Sequence, residues 1–388
     1  MSAAFEIKGW CPGALRPMES GDGLVVRVRP HGGCLSPAEA MAIAEGARLH
    51  GNGLIDLTSR ANLQIRGVRP EGHLPLLQAL AAHGLIDGDP AFEARRNIIV
   101  TPLGEGEARA ETLEMARRLE AGLSTGPDLP GKFGFAVDTG PARVLATAPA
   151  DIRIERDAAG RLLVRPDGAP TGLSADASDA ADLALRMARW FVASGGVVKG
   201  RGRMARHLAA GARLDPALSG PVRPAEATVP TVGPRAEGVL VGAAFGQLEA
   251  QALAALAGLG REIRVTPWRM LLVVGPQDVP AVAGLTLLPG DPLLAVSACS
   301  GAPACPQALA PTRGFARHLA PFIPPGRHLH VSGCAKGCAR QEASDVTLCA
   351  TSSGFDLILK GTVRDVPARF ALSETGIRAN PQSVFEPA

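Results

Sequence analysis

Tyrosine is absent from the 388-residue chain, and aromatic residues make up only 4% of it. Cores must therefore be built from alanine, leucine and valine. No apolar run reaches the ~18 residues that a membrane helix requires. The opening segment, Met1 to Trp10, carries Glu6 and Lys8 and lacks the apolar region of a signal peptide. A formal charge of +3 is too small to argue for nucleic acid, so any basic site must be local. The segment Val197-Val-Lys-Gly-Arg-Gly202 is no P-loop, because its spacing is wrong. Cysteine is scarce: there are seven, an odd number, and their clustering argues for metal in a reducing compartment rather than for disulfides. These features predict a cytoplasmic protein with neither a membrane nor a nucleic-acid partner. The remaining composition, 46% hydrophobic and 20% charged, is ordinary for a globular chain long enough for two or three domains.

Four of the cysteines form two close pairs, Cys299/Cys305 (C-x5-C) and Cys334/Cys338 (C-x3-C), with 28 residues between the pairs. Thiolates in fours select zinc or an iron–sulfur cluster. Structural zinc takes tighter knuckles at both ends, which the first pair does not fit. Small residues flank both pairs (Ser300, Gly301, Ala302, Ala304; Gly333, Ala335, Gly337, Ala339), leaving room for backbone N–H groups to approach cluster sulfides. The bland alternative is buried apolar cysteine, but four unrelated core cysteines rarely fall into two glycine-flanked pairs. Cys11, Cys34 and Cys349 lack a partner at metal spacing and default to free thiols.

Along the chain, Gly23–Arg29 alternates as a half-buried strand, and Ser36-Pro-Ala-Glu39 is a capping box opening a helix that runs to about Leu49. Strands 54–58 and 62–66 follow. A related pattern returns about 210 residues later: strand 238–243, helix 247–259, then strands 264–269 and 270–274. Thr58-Ser-Arg60 then falls near Thr266-Pro-Trp-Arg269. Two β-α-β-β halves of this size cannot each bury a core alone, so they are expected to pair with one another. The expected units are a first half at 15–75, an α+β domain at 90–213, a connector at 214–235, a second half at 236–285 and a cysteine-bearing domain at 290–388. The connector holds five prolines in 22 residues.

Basic residues recur beside the expected strand ends: Arg60, Arg66, Arg95, Arg96 and Lys132. A further group, Lys199, Arg201, Arg203, Arg206 and His207, follows a glycine-rich turn. Singly, each is an ordinary solvated charge. Collectively they suit an anion with several carboxylates, which arginine pairs bidentately.

The cysteine pattern resembles that of the nitrite/sulfite reductase superfamily, whose C-x5-C…C-x3-C set holds a 4Fe-4S cluster. The resemblance extends to Thr58-Ser-Arg-Ala-Asn-Leu-Gln64 (a T-x-R-x-x-x-Q motif) and to Arg96-Asn97. It extends also to Leu129-Pro-Gly-Lys-Phe-Gly134, where the reductases have a second lysine in place of Gly134. The run His330-Val-Ser-Gly-Cys-Ala-Lys-Gly-Cys-Ala-Arg340, with Gly51-Asn-Gly53, Leu57–Gln64 and Thr266–Arg269, is similar to the precorrin-3B synthase branch.

The fold that this resemblance implies is α+β and duplicated, with two ferredoxin-like half-domains pairing with each other plus two α+β cluster/cofactor domains. The implied activity is an oxygen-dependent monooxygenase of aerobic cobalamin biosynthesis, converting precorrin-3A to precorrin-3B. Its implied cofactors are a 4Fe-4S cluster on Cys299, Cys305, Cys334 and Cys338 and a mononuclear non-haem iron. Its implied partners are the tetrapyrrole, molecular oxygen and an electron donor, either an NADH-linked reductase or a ferredoxin-type protein. Arg60, Asn62, Gln64, Arg66, Arg96, Lys132 and Arg269 are the expected substrate contacts. No ligand motif for the iron is present; His31, His207, His328 and His330 are candidates by location only. Two alternatives stay open. One is a sirohaem-dependent nitrite or sulfite reductase; the other is a non-catalytic iron–sulfur or zinc protein.

Overall fold

A computed structural model describes residues 12–386. It contains four sheets built as two copies of a two-sheet unit. In the first half-domain the hairpin Leu54–Leu57 and Leu63–Val68 lies beside Gly23–Val28, all antiparallel, with Met18–Ser20 at the edge. The helix Pro37–His50 covers one face. Its capping box forms as expected: the Ser36 hydroxyl accepts the Glu39 N–H at 3.3 Å, and the Glu39 carboxylate accepts the Ser36 N–H at 2.7 Å. The second half-domain repeats this plan with Gly238–Ala243, Ile263–Val265 and Met270–Val274 under the helix Ala250–Ala257.

The halves pair by exchanging strands. Gln247–Glu249, expected as the start of a helix, is instead a strand that pairs antiparallel with Leu54–Leu57 of the first half. Reciprocally, Cys34–Leu35 pairs with Ile263–Val265 of the second half. The exchange closes the open edge of each small sheet with ladder hydrogen bonds. The two helices share one core, in which Leu35, Ile43 and Ile65 of the first half join Leu253, Leu256 and Ile263 of the second, all fully buried. At roughly 1.5–3 kcal/mol for each such side chain, neither half retains its core alone.

Three further segments differ from the expected boundaries. Residues 266–269 turn rather than extend the preceding strand. The last three connector residues, Gly233–Arg235, join the second half-domain sheet. The helix Pro70–Ala81 was not anticipated, because Pro70, Gly72 and Pro75 mask its helical period.

The α+β sheets are also copies. Ile98–Val100, Phe135–Asp138 and Ile152–Arg156 run parallel, then Leu162–Pro166 and Leu173–Ser174 turn antiparallel. Val296–Ala298, Leu329–Ser332 and Ser344–Thr351 run parallel, followed by antiparallel Gly354–Gly361 and Arg369–Leu372. In each copy the loops that leave the first two parallel strands emerge side by side. In the first copy these loops carry no cysteine; in the second they carry all four of the paired ones.

Candidate functional site

The parallel register of the last sheet explains how cysteines so far apart in sequence meet. Ala298 lies opposite Val331, so Cys299 leaves its strand beside Ser332, and Cys334 follows two residues later. The Gly333 N–H donates to Cys299 Sγ at 3.2 Å. The Leu309 N–H donates to the Gly333 carbonyl at 2.7 Å and ties the two loops together, while the Thr312 hydroxyl donates to the Cys299 carbonyl at 2.6 Å within the first. Gly301, at φ 67°, packs so tightly that a Cβ would stand 2.6 Å from Thr312 Oγ1.

No disulfide forms among these cysteines. Burial pushes the Cys338 thiol up to about 11; Lys336 opposes this, and Cys299, Cys334 and Cys305 add to it. Cys334 is raised by burial too, with Cys299 and Cys305 contributing. Among the described residues, no three His, Cys, Asp or Glu side chains converge tightly enough for a single metal ion. Four thiols on two adjoining loops, with a backbone N–H already on one sulfur, suit a cluster better than a single ion, and cluster binding would remove the thiol protons. The described residues do not compose a mononuclear iron site. His31 pairs with Glu120 at 3.0 Å and His207 with Ser194 at 2.8 Å, so neither joins His328 and His330.

The first cysteine loop rests on the first half-domain. The Ala304 carbonyl accepts from Ser20 Oγ at 2.8 Å, the Gly21 N–H at 3.1 Å and Arg66 at 3.4 Å. Arg66 also grips Asp22 at 2.7 Å. The loops also rest on Arg269, at φ 63° in the turn where the first half has Ala61 at φ 53°. Its guanidinium donates to Ser297 Oγ at 3.1 Å and the Ala339 carbonyl at 2.8 Å. Burial, with Arg313 and Arg340 adding, brings its pKa down to about 10.

Beside the second loop lies a cavity of about 740 Å³. Cys338 and Arg340 form one wall, and Phe245, Trp268, Met270 and Leu294 supply apolar surface. Arg269 and His328 line it, as does Ser59 from the first half-domain. Such a mixture, largely apolar with a few fixed polar groups, is what small-molecule sites require. His328 is wedged between Ser297 Oγ and Ser344 Oγ, each at 3.2 Å.

His328 and His330 are both brought down to about 4, by burial first; Arg340 and Arg269 add in each case, and His328 adds for His330. The unfolded chain takes up these protons near pH 6.5, whereas the folded chain resists until about 4. The unfolded state therefore binds more protons in that window, and stability falls as pH falls through it. The opposite slope from Asp138, whose buried carboxyl is raised to about 6, is common to wild type and variant. The melting temperature of His330→Gln is thus expected to fall less steeply than that of wild type between pH 6.5 and 4. Parallel curves would contradict a buried neutral His330.

The other expected contacts divide. Arg60 donates to the Lys132 carbonyl at 2.7 Å. Asn62 is buried under the Thr58 turn, and Gln64 is half-buried on its strand. Arg96 is buried, bidentate to Asp87 at 2.8 and 2.9 Å and bonded to the Arg29 carbonyl. Neither Arg66 nor Arg96 lines the large cavity. Gly134, where the reductases have a lysine, has no room for one: a Cβ would lie 2.9 Å from the Asn97 carbonyl oxygen and 3.0 Å from Arg60 Nη1. Of the three cysteines without a partner, Cys34 takes a hydrogen bond from Arg109 at 2.8 Å and Cys349 is buried, while Cys11 lies outside the described residues. Phe245, Trp268 and Arg340 were not expected at the site, whereas His328 was a candidate by location. The repeat gave a signal for Trp268, which occupies the turn position of Arg60.

Comparison with known proteins bears on this arrangement. Residues 16–83 match the nitrite/sulfite reductase ferredoxin-like half domain. A precorrin-3B synthase from Sinorhizobium sp. is 31% identical over 398 aligned positions, covering 94% of this chain and 85% of the relative. The chain belongs to the precorrin-3B synthase family. It is therefore an enzyme, and the family works in cobalamin biosynthesis. The beta-component hemoprotein of an NADPH sulfite reductase from Anoxybacillus flavithermus is 33% identical over 96 residues, which cover 24% of this chain and 17% of that protein. The solved structure of Mycobacterium tuberculosis NirA protein covers 92% of this chain and 79% of its own, with a TM-score of 0.64 at 18% identity. It supports the duplicated fold of this precorrin-3B synthase relative. Among the described residues no helix is long and apolar enough to cross a membrane.

Proposed function

We propose that the protein converts precorrin-3A to precorrin-3B with molecular oxygen, hydroxylating the meso carbon between rings A and D and closing a γ-lactone from the ring A acetate. One oxygen atom enters the substrate; the other leaves as water, with two electrons and two protons drawn from an external donor. That donor is an NADH-linked reductase or a ferredoxin-type protein. Cys299, Cys305, Cys334 and Cys338 hold a 4Fe-4S cluster, which supplies one-electron transfer when bound.

The observation that carries this reading is the cavity of about 740 Å³ with Cys338 in its wall. A tetrapyrrole lying there has its face on Trp268, Phe245 and Met270, with the cluster loop alongside. Arg340, which pairs with Glu342 of the same cavity at 3.3 Å, offers a cation to its acid side chains once that exposed carboxylate turns away. Arg269, locked to Ser297 and Ala339, positions the Cys334/Cys338 loop rather than moving with substrate. His328 stays neutral at pH 7, so the cavity holds no imidazolium to compete with those arginines.

Anaerobically purified protein, given precorrin-3A, isotopically labelled oxygen and a reductant, is expected to release a lactone carrying one labelled atom. Reduction of sulfite or nitrite without that product would overturn the reading.

A further inference from the structure

A second cavity, of about 430 Å³, opens between the turn at 130–132 and the glycine-rich segment 195–203. Lys132, Arg201, Arg203, Arg206 and His207 line it, and among the described residues no carboxylate does. Arg203 is committed to Asp151 at 2.9 Å, and His207 to Ser194. The side chains of Lys132, Arg201 and Arg206 make no hydrogen bond or ion pair with any other described residue. That sets them apart from Arg66 and Arg96, whose charges are matched inside the fold.

The lining is also held in place. Reciprocal backbone bonds between Val198 and Arg201, at 2.7 and 3.0 Å, close the turn, with Lys199 at φ 50° and Gly200 at φ 69°. Uncompensated cations around one concavity focus a positive field and draw an anion. Val198, 64% exposed, adds apolar surface to the same wall. Arginine forks with an apolar neighbour suit carboxylates on a carbon frame better than a bare inorganic ion.

The two cavities are neighbours. Ser59 lines the large one, the next residue Arg60 donates to the Lys132 carbonyl at 2.7 Å, and Lys132 lines the small one. We propose that the small cavity is a carboxylate subsite, receiving acid side chains from one edge of the tetrapyrrole whose ring occupies the large cavity. This rests on the tetrapyrrole reading above. It assigns the clamp to Lys132, Arg201 and Arg206, two of which belong to no motif shared with the reductases.

The test is calorimetric titration of the whole protein with uroporphyrin III, its octamethyl ester and inorganic phosphate. Arg201→Gln/Arg206→Gln is expected to weaken uroporphyrin binding by roughly tenfold for each cation removed. It leaves the ester unaffected, and Arg201→Lys/Arg206→Lys restores most of the loss. Both positions are exposed, so the variants should melt as wild type does. Unchanged uroporphyrin binding with lost phosphate binding would overturn the proposal in favour of a free-anion site. Unchanged binding of both would reduce the cluster to solvated charge. Wild-type protein that binds phosphate but neither porphyrin would instead sink the tetrapyrrole reading itself.

Discussion

Cys334→Ser protein is expected to purify without iron or sulfide and to form no lactone from precorrin-3A. The expectation follows from where the residue sits. Its loop is tied to that of Cys299 by the Gly333 N–H and by the Leu309–Gly333 bond, so the proposed cluster would draw on both loops at once. A serine oxygen is a harder ligand than thiolate and does not replace it in an iron–sulfur site. Because the loops are also anchored through Arg269 and Arg66, the rest of the fold should survive the change. Cys349→Ser, in the next strand, is the control. Its thiol is buried and pushed up to about 12 by that burial, and it should leave the iron content intact. Equal loss in both variants would mean that the sheet, not the ligand set, had been damaged.

Arg96→Ala is expected to cost stability rather than substrate affinity. The guanidinium is 3% exposed, as is its partner Asp87, and it also reaches the Arg29 carbonyl and Glu120 at 3.5 Å. Truncation leaves the Asp87 carboxylate buried without a counter-charge, a change worth about 3–5 kcal/mol. Denaturant unfolding should show that loss directly. Asp87→Asn/Arg96→Met, which removes both charges, should recover much of it. Porphyrin affinity of the folded fraction should match wild type, since Arg96 lines neither cavity. A stable Arg96→Ala protein with weakened tetrapyrrole binding would return the residue to the substrate clamp.

The contrast between these two residues shows what was legible in the sequence. Cysteine spacing was a readable signal of proximity, because parallel register carries Cys299 and Cys334 onto adjoining loops. The duplicated fold was likewise readable, through the capping box at Ser36 and the recurrence of the β-α-β-β pattern. Strand exchange was not, because the pairing of Gln247–Glu249 with Leu54–Leu57 is a long-range choice that overrides a local helical pattern. Arginine is the ambiguous letter. Arg66 and Arg96 were both expected substrate contacts, yet each meets an aspartate within the fold, and no local pattern reveals that partner in advance. Arg201 and Arg206, which make no side-chain hydrogen bond or ion pair with another described residue, belong to none of the motifs that suggested the family. Their significance comes from the lack of a carboxylate around them, which only the three-dimensional arrangement discloses.

The measurement that bears most directly on the whole account is an assay of iron, acid-labile sulfide and extractable tetrapyrrole on one anaerobically purified sample, alongside its absorption spectrum. The account predicts broad iron–sulfur absorption with roughly four sulfides per chain and no sirohaem. Tightly bound sirohaem would contradict it and make the protein a reductase, and zinc without sulfide would remove the redox chemistry altogether.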